Sequence, residues 1–340
     1  MKRLKFVVIV VSFFAAMFCS SCDKDEGEIK YDVYVVGYED NNDGESIAKL
    51  WINGMSHNLT DGIYRSIANA VYVSNNNVYV SGYEWNEQGI IAKLWKNGVA
   101  QNLTDGTSAA YASSVYVSGS DVYVVGEEAQ IGERYVVKLW KNGIAQNLTD
   151  GTNDAYAYSV YVSGNDVYAV GFEYNGQDKS FAKLWKNGVT QNLTDGTSRA
   201  DANSVYVSGN DVFVAGSENG VATLWKNGVL QNVTKGASSS AINSIYILGN
   251  DVYAAGIELT ENYGWMSVLW RNSDKQYLAG GAWSRASDVY VLDDNVYVAG
   301  SVVRNSAEVN GVARVWNNGT FQDLTDGKND AAAYSIFVVK

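Results

Sequence analysis

Residues 182–196 read AKLWKNGVTQNLTDG and residues 92–106 read AKLWKNGVAQNLTDG, one difference in fifteen positions. Looser copies stand at 137–151 (VKLWKNGIAQNLTDG) and 313–327 (ARVWNNGTFQDLTDG). The tryptophan of the phrase recurs at Trp51, Trp95, Trp140, Trp185, Trp225, Trp270 and Trp316, a period of 40–46 residues. Between the phrases lies a second element, SVYVSGNDVYAVG at 159–171 and SVYVSGNDVFVAG at 204–216. A period of this size sustained along a chain marks a solenoid or a propeller.

Each element reads as strand. SVYVS and DVYAV are short β-branched and aromatic runs joined by Gly-Asn, and AKLW and QNLT flank Asn-Gly. Both dipeptides tolerate the positive φ that a type I′ hairpin turn requires at its two central residues. The chain has no proline, so its turns rest on Gly, Asn, Asp and Ser. Each repeat thus supplies four strands, here a (SVYVS), b (DVYAV), c (AKLW) and d (QNLT). Four strands per 40–45 residues is the blade of a β-propeller.

The ends complete the count. The first repeat begins at strand b (Asp32–Gly37) with no strand a before it, and the chain stops after a lone strand a, YSIFVV at 334–339. A ring closed by one blade built from both termini leaves no raw sheet edge at the seam. The expectation is an all-β, seven-bladed propeller of four-stranded antiparallel blades over residues 32–340.

Length varies at one place. From the phrase Trp to the central aromatic of the next strand a is 21 residues in six repeats and 20 in one, and from that aromatic to the Gly closing strand b is always 10. From that Gly to the next Trp the count runs 14, 13, 14, 14, 9, 14 and 16. Variation therefore concentrates in the b–c loop, which shares a face of the disc with the d–a crossings. A rigid scaffold usually carries its function on such a variable face. The three tryptophans outside the phrase, Trp85, Trp265 and Trp283, are placed on that face, as are Tyr64, Tyr111, Tyr156 and Tyr174. Blade six, SVLWRNSDKQYLAGGAWSRASDVYVL at 267–292, has lost its Asn-Gly and Asp-Gly turns and gained Trp283 and Arg285. The candidate ligand-binding residues are therefore Trp85, Trp265, Trp283, Tyr263, Tyr174, Arg285 and Arg304, since aromatic plates with polar tips suit sugar rings and protein hot spots.

Acidic sets recur nearby without defining a reaction. Glu39, Glu84, Glu128, Glu173, Glu218 and Glu258 stand two after the Gly ending strand b, and Lys49, Lys93, Lys138 and Lys183 face four of them across the b–c hairpin. Asp61, Asp105, Asp150, Asp195 and Asp326 precede Gly after strand d, as turn residues do. The single histidine, His57, fills a slot that is Gln in the other six repeats. No catalytic constellation, metal site or cofactor is indicated, although two carboxylates could still serve a hydrolase.

The Leu-Trp-x-Asn-Gly phrase, followed by a Leu-containing strand and a later Gly, resembles the bacterial extracellular HAF-type repeat. That resemblance covers residues 32–340 and implies a propeller, not a chemistry.

At the other end, Lys2, Arg3 and Lys5 precede an apolar run from Phe6 to Phe18. At about 1.5 Å per residue that run reaches roughly 20 Å, short of the roughly 30 Å hydrocarbon core, as a secretory leader is. Cys19-Ser20-Ser21-Cys22 resembles a bacterial lipoprotein signal, implying lipidation at Cys22, although Cys19 stands where Leu is usual. The following Asp23-Lys24-Asp25-Glu26 is similar to the surface-export signal of Bacteroidota lipoproteins. The expected division is a signal peptide at 1–21, an acidic tether at 22–31 and the propeller at 32–340.

Loss of the leader's three basic residues takes the formal net charge from −12 to −15. An acidic surface argues against nucleic acid and against contact with anionic lipid other than through the anchor. With both cysteines in the leader, the mature fold has no disulfide. The functional expectation is a monomeric, lipid-anchored, non-catalytic protein of the outer membrane and cell surface, binding glycan or protein through the b–c/d–a face. The alternatives are a carboxylate-dependent enzyme of carbohydrate metabolism and a purely structural surface protein.

Overall fold

The structure is a computed structural model that describes residues 31–130, 134–176, 179–231, 239–261, 264–278, 283–304 and 309–340. Cys22, with the leader and most of the tether, lies outside the described residues, as does Tyr263. Among the described residues there is no helix, and none long and apolar enough to cross a membrane.

Seven four-stranded antiparallel sheets account for all the strands described. Blade four is typical, with strand a at Ala155–Ser163, b at Asp166–Tyr174, c at Ser180–Lys186 and d at Val189–Asn192. Blades two to seven are each built from one continuous a-b-c-d run. In blade one, the last strand (Ala331–Val339) pairs with the first (Asp32–Asp40), with Val35 opposite Ile336. The ring is closed by both ends of the chain.

The frame follows from the phrase. Each phrase Trp is buried and wedges its blade onto the preceding one, as Trp185 does among Val125, Val137 and Leu139 of blade three. Trp51 does the same at the seam, among Ala299, Ala313 and Val315 of blade seven. The phrase Asn has two duties. In Asn187 the backbone turns with positive φ (52°), while Oδ1 accepts the Val167 N–H at 2.8 Å and Nδ2 donates to Asp166 at 2.7 Å. All seven blades repeat this clamp between the c–d turn and the start of strand b, which also fixes both turns on one face. The Gln of strand d reaches the next blade's Asn-Gly turn. Gln101 lies beside Gly143 and Gln191 beside Gly228, but nothing lies beside Gly98, whose predecessor blade has His57 in that slot.

Two features correct the sequence reading. The a–b turns with Gly first (Gly119, Gly164, Gly209 and Gly249) have positive φ at the Gly alone, the pattern of a type II′ turn rather than I′. Among the a–b turns, positive φ at both central residues occurs where Gly is absent, at Asn75-Asn76 and Asp293-Asp294, whereas the Asn-Gly c–d turns have it at both residues as expected. Strand a is also longer than SVYVS, because a β-bulge interrupts it, between Ala157 and Ser159 in blade four. The extra residue breaks the period of two, so AYAY continues the strand on the far side of the bulge without extending the alternation of SVYVS. Tyr111, Tyr156 and Trp283 therefore lie inside strands a, and Trp85, Tyr174 and Trp265 inside strands b or c.

Candidate functional site

The bulge recurs in all seven blades, always opposite the Gly of strand b. That Gly has no alternative, since a Cβ on Gly171 would meet the Tyr156 carbonyl oxygen at 1.9 Å. Each bulge adds one residue to the wall around the axis, among them Asn69, Ser113, Tyr158, Asn203, Asn243 and Tyr334. Together they line a central cavity of about 720 Å³.

The inner end of the cavity is ringed. Tyr72, Tyr116, Tyr161, Tyr206, Tyr246, Tyr290 and Phe337 form a closed ring of aromatic side chains, with neighbouring centroids 4.7–5.1 Å apart. The ring sits towards the a–b turns, so the cavity is a funnel whose mouth lies on the b–c/d–a face. One layer above, side-chain oxygens stitch blade to blade. Ser114 accepts the Val160 N–H at 3.2 Å, Ser159 that of Val205 at 3.3 Å, and Ser335 that of Val71 at 3.3 Å. In blade seven this serine is replaced by Asp288, which is partly buried. Its carboxylate accepts Ser244 Oγ at 2.6 Å, Ser335 Oγ at 2.9 Å and the Ile336 N–H at 2.9 Å, latching the closing strand. Burial raises its pKa, against the pull of those donors.

The mouth is asymmetric. On blades two to four it is aromatic, with Tyr83 edge-on to Tyr111 at 4.9 Å and Tyr156 stacked on Phe172 at 5.0 Å. Glu127 and Asp201 enter the wall on blades three and five, and Arg285 enters on blade seven. Glu127 is buried, and its Oε2 has no hydrogen-bond partner. Desolvation pushes its carboxyl up to about 8, with a hydrogen bond from the Ala157 backbone opposing. Asp201 is also raised by burial, its Oδ1 is unpartnered, and its nearest cation is Arg199 at 4.0 Å.

A raised carboxyl has a definite linkage sign. The folded state holds the Glu127 proton up to about pH 8, whereas the unfolded chain releases it near the ordinary value of 4.5. The stability this proton confers is complete below 4.5 and is lost as pH rises through 8. The melting temperature of the protein is therefore expected to fall by a few degrees across that window, and Glu127→Gln to flatten the fall. Parallel melting curves of the two proteins would refute the burial of this carboxyl.

Of the candidate ligand-binding residues that the structure describes, Arg285 alone lines the funnel, joined there by Tyr111 from the wider set of variable-face aromatics. Trp85 is 42% and Trp283 60% exposed, and the Trp283 indole lies over Gly264, whose Cβ would come 3.4 Å from it. Trp265, opposite Leu259, is partly buried. Tyr174 meets Phe172 edge-on at 5.2 Å. Arg304 donates to the Asp326 carbonyl at 2.8 Å and to Asp323 at 2.9 Å, holding its loop to the neighbouring turn. The two recurrent acidic sets are structural. Lys49, Lys138 and Lys183 pair with Glu39, Glu128 and Glu173 at 2.6–2.9 Å, and Asp105 and Asp195 cap their own turns through Thr107 and Thr197.

No protein-family model and no curated protein matches the chain. Among solved structures it is similar to the β-propeller domain of the Trilobed protease from Pyrococcus furiosus, at 10% identity and TM-score 0.52 over 88% of this chain and 99% of that one. It is also similar to a puromycin hydrolase (10%, TM-score 0.55, 87% of this chain but 52% of that one) and to TolB from Acinetobacter baumannii (10%, TM-score 0.50, 89% and 83%). These likenesses establish the propeller fold. They also frame a difference, because the Pyrococcus domain has an open velcro topology whereas here the terminal strands close blade one.

Proposed function

We propose that this chain is a non-catalytic binding propeller of the bacterial cell surface, built of HAF-type repeats, held by lipid at Cys22, and taking a glycan or peptide into the axial funnel. The observation that carries the reading is the funnel itself. It has a closed ring of aromatic residues at its inner end, a wall of uncharged polar bulge residues, an aromatic arc at its mouth, and a volume of about 720 Å³ that accommodates a ligand of several rings or residues. Stacking faces beside hydrogen-bonding amides and hydroxyls suit a sugar or a short peptide. The exposed Trp85 and Trp283 stand on the same face, outside the wall, where they would extend contact with a larger ligand.

Glycan and peptide arrays probed with the purified protein test this reading. Ser113→Trp and Asn203→Trp, which fill the funnel, are expected to abolish any binding found. Trp85→Ala, Trp265→Ala and Trp283→Ala are expected to weaken it only for long ligands. A ligand that binds both filled variants as well as wild type places recognition elsewhere and overturns the proposal. Glu127 and Asp201 give the enzymatic alternative its one specific footing, as two carboxyls in one cavity. Cleavage of a bound glycan, lost in Glu127→Gln, would decide for it.

A further inference from the structure

We infer that the arc of the funnel on blades three to five receives an ammonium group, carried into the cavity on a cyclic or otherwise compact organic body. This rests on the funnel being the binding site and names what one part of it recognises.

At five of the six glutamates that stand two after the strand-b Gly, the fold supplies a lysine. Glu39, Glu84, Glu128, Glu173 and Glu258 each hold a lysine. Glu127 holds none and Asp201 only Arg199, at 4.0 Å, and each keeps an oxygen without a hydrogen-bond partner in the wall of the cavity. Glu127 is only 7% exposed, so its carboxyl is largely withdrawn from bulk water. Leaving a buried acceptor unpaired is costly, and a charged donor relieves that cost most effectively. Burial without a cation is also what lifts the Glu127 carboxyl towards 8.

The surroundings select the kind of cation. Tyr158 and Phe172, with ring centroids 5.9 Å apart and planes tilted by 43°, line the wall between the two acids. Aromatic faces beside carboxylates attract organic cations, whose C–H groups pack where a hydrated metal ion would not. A hard divalent cation needs six or more oxygen ligands, whereas no cluster of three acidic, His or Cys side chains occurs among the described residues. A cavity of about 720 Å³ also exceeds what a bare ion fills.

The test compares 2-phenylethylammonium chloride with its neutral isostere 2-phenylethanol, by saturation-transfer NMR on the purified protein above pH 8, where the Glu127 carboxyl is ionised and the alkylammonium keeps its proton. The ammonium compound is expected to bind in the millimolar range, about tenfold more tightly than the alcohol. Glu127→Gln and Asp201→Asn should each bring it down to the level of the alcohol, and Ile144→Ala, exposed on the outer strand of blade three, should leave the difference intact. Melting curves of the variants establish that they are folded. Equal binding of the two compounds, absence of binding by the ammonium compound at about 10 mM, or indifference to both carboxyl substitutions overturns the inference. If any of these occurs while a glycan or peptide still competes with the filled variants' lesion, the binding reading stands and only the ammonium specificity fails.

Discussion

Removing residues 331–340 is expected to leave a chain without a cooperative melting transition near that of the intact protein. The deleted strand is the innermost of blade one, not a peripheral tail. It buries Ala331, Ala333, Ile336 and Val338, and it contributes Phe337 to the aromatic ring. At about 1.5–3 kcal/mol for each large side chain returned to water, the apolar loss alone is on the order of 5 kcal/mol or more. The backbone of Asp32–Asp40 loses its ladder on one side, from Val339 to Ala331. Asp288 loses Ser335 and the Ile336 N–H while remaining among blade seven's core residues, and Val71 loses its acceptor on Ser335. The sum rivals the 5–15 kcal/mol that usually separates folded from unfolded states. Circular-dichroism melting and limited proteolysis measure the outcome. A truncated chain that melts within a few degrees of wild type would show that the termini do not close the ring.

Closure was legible because it is a counting argument. A missing strand a at Asp32 and a surplus one at 334–339 need no knowledge of side-chain packing. The frame was legible for a related reason, since the clamp made by Asn187 and the wedge made by Trp185 depend on single residue types and forced identity at every copy. The funnel was not. Length variation points to the b–c loops. The funnel instead varies by substitution at constant length. The position after the strand-b Gly runs Tyr38, Tyr83, Glu127, Phe172, Ser217, Ile257 and Ser301, between columns that hardly change. Asp288 likewise stands in a column of serines broken otherwise by Ala70 alone. Comparing repeats column by column would have found both. The bulge hid them further, because the residue it inserts disrupts alternation just where the wall residues lie. Arg285 was found for an independent reason, the irregularity of blade six, and its place on the funnel wall owes nothing to loop length.

Gly171→Ala should then be the most damaging single-methyl change available in blade four, and its effect should reach the funnel. The new Cβ would lie 1.9 Å from the Tyr156 carbonyl oxygen and 2.8 Å from the Ala157 Cα, both backbone atoms that no rotamer can move aside. Strand a must retreat from strand b at its bulge, and the bulge is what holds Tyr158 in the wall. Forced overpacking of this kind costs about 3 kcal/mol or more, which for a domain of this size lowers the melting temperature by about 5–10 °C. The control is Gly164→Ala, in the a–b turn of the same blade, where a Cβ meets nothing within 4 Å and only the positive φ of 59° opposes it. That substitution is expected to cost about 1 kcal/mol, the ordinary price of a left-handed non-glycine residue. The two variants therefore separate backbone collision from backbone strain. The strand-b variant should also lose ligand binding under conditions where it remains folded, because Tyr158 and Phe172 flank the displaced segment. If Gly171→Ala melts like Gly164→Ala, the close approach of strands a and b at the bulge is not what shapes the wall of the funnel.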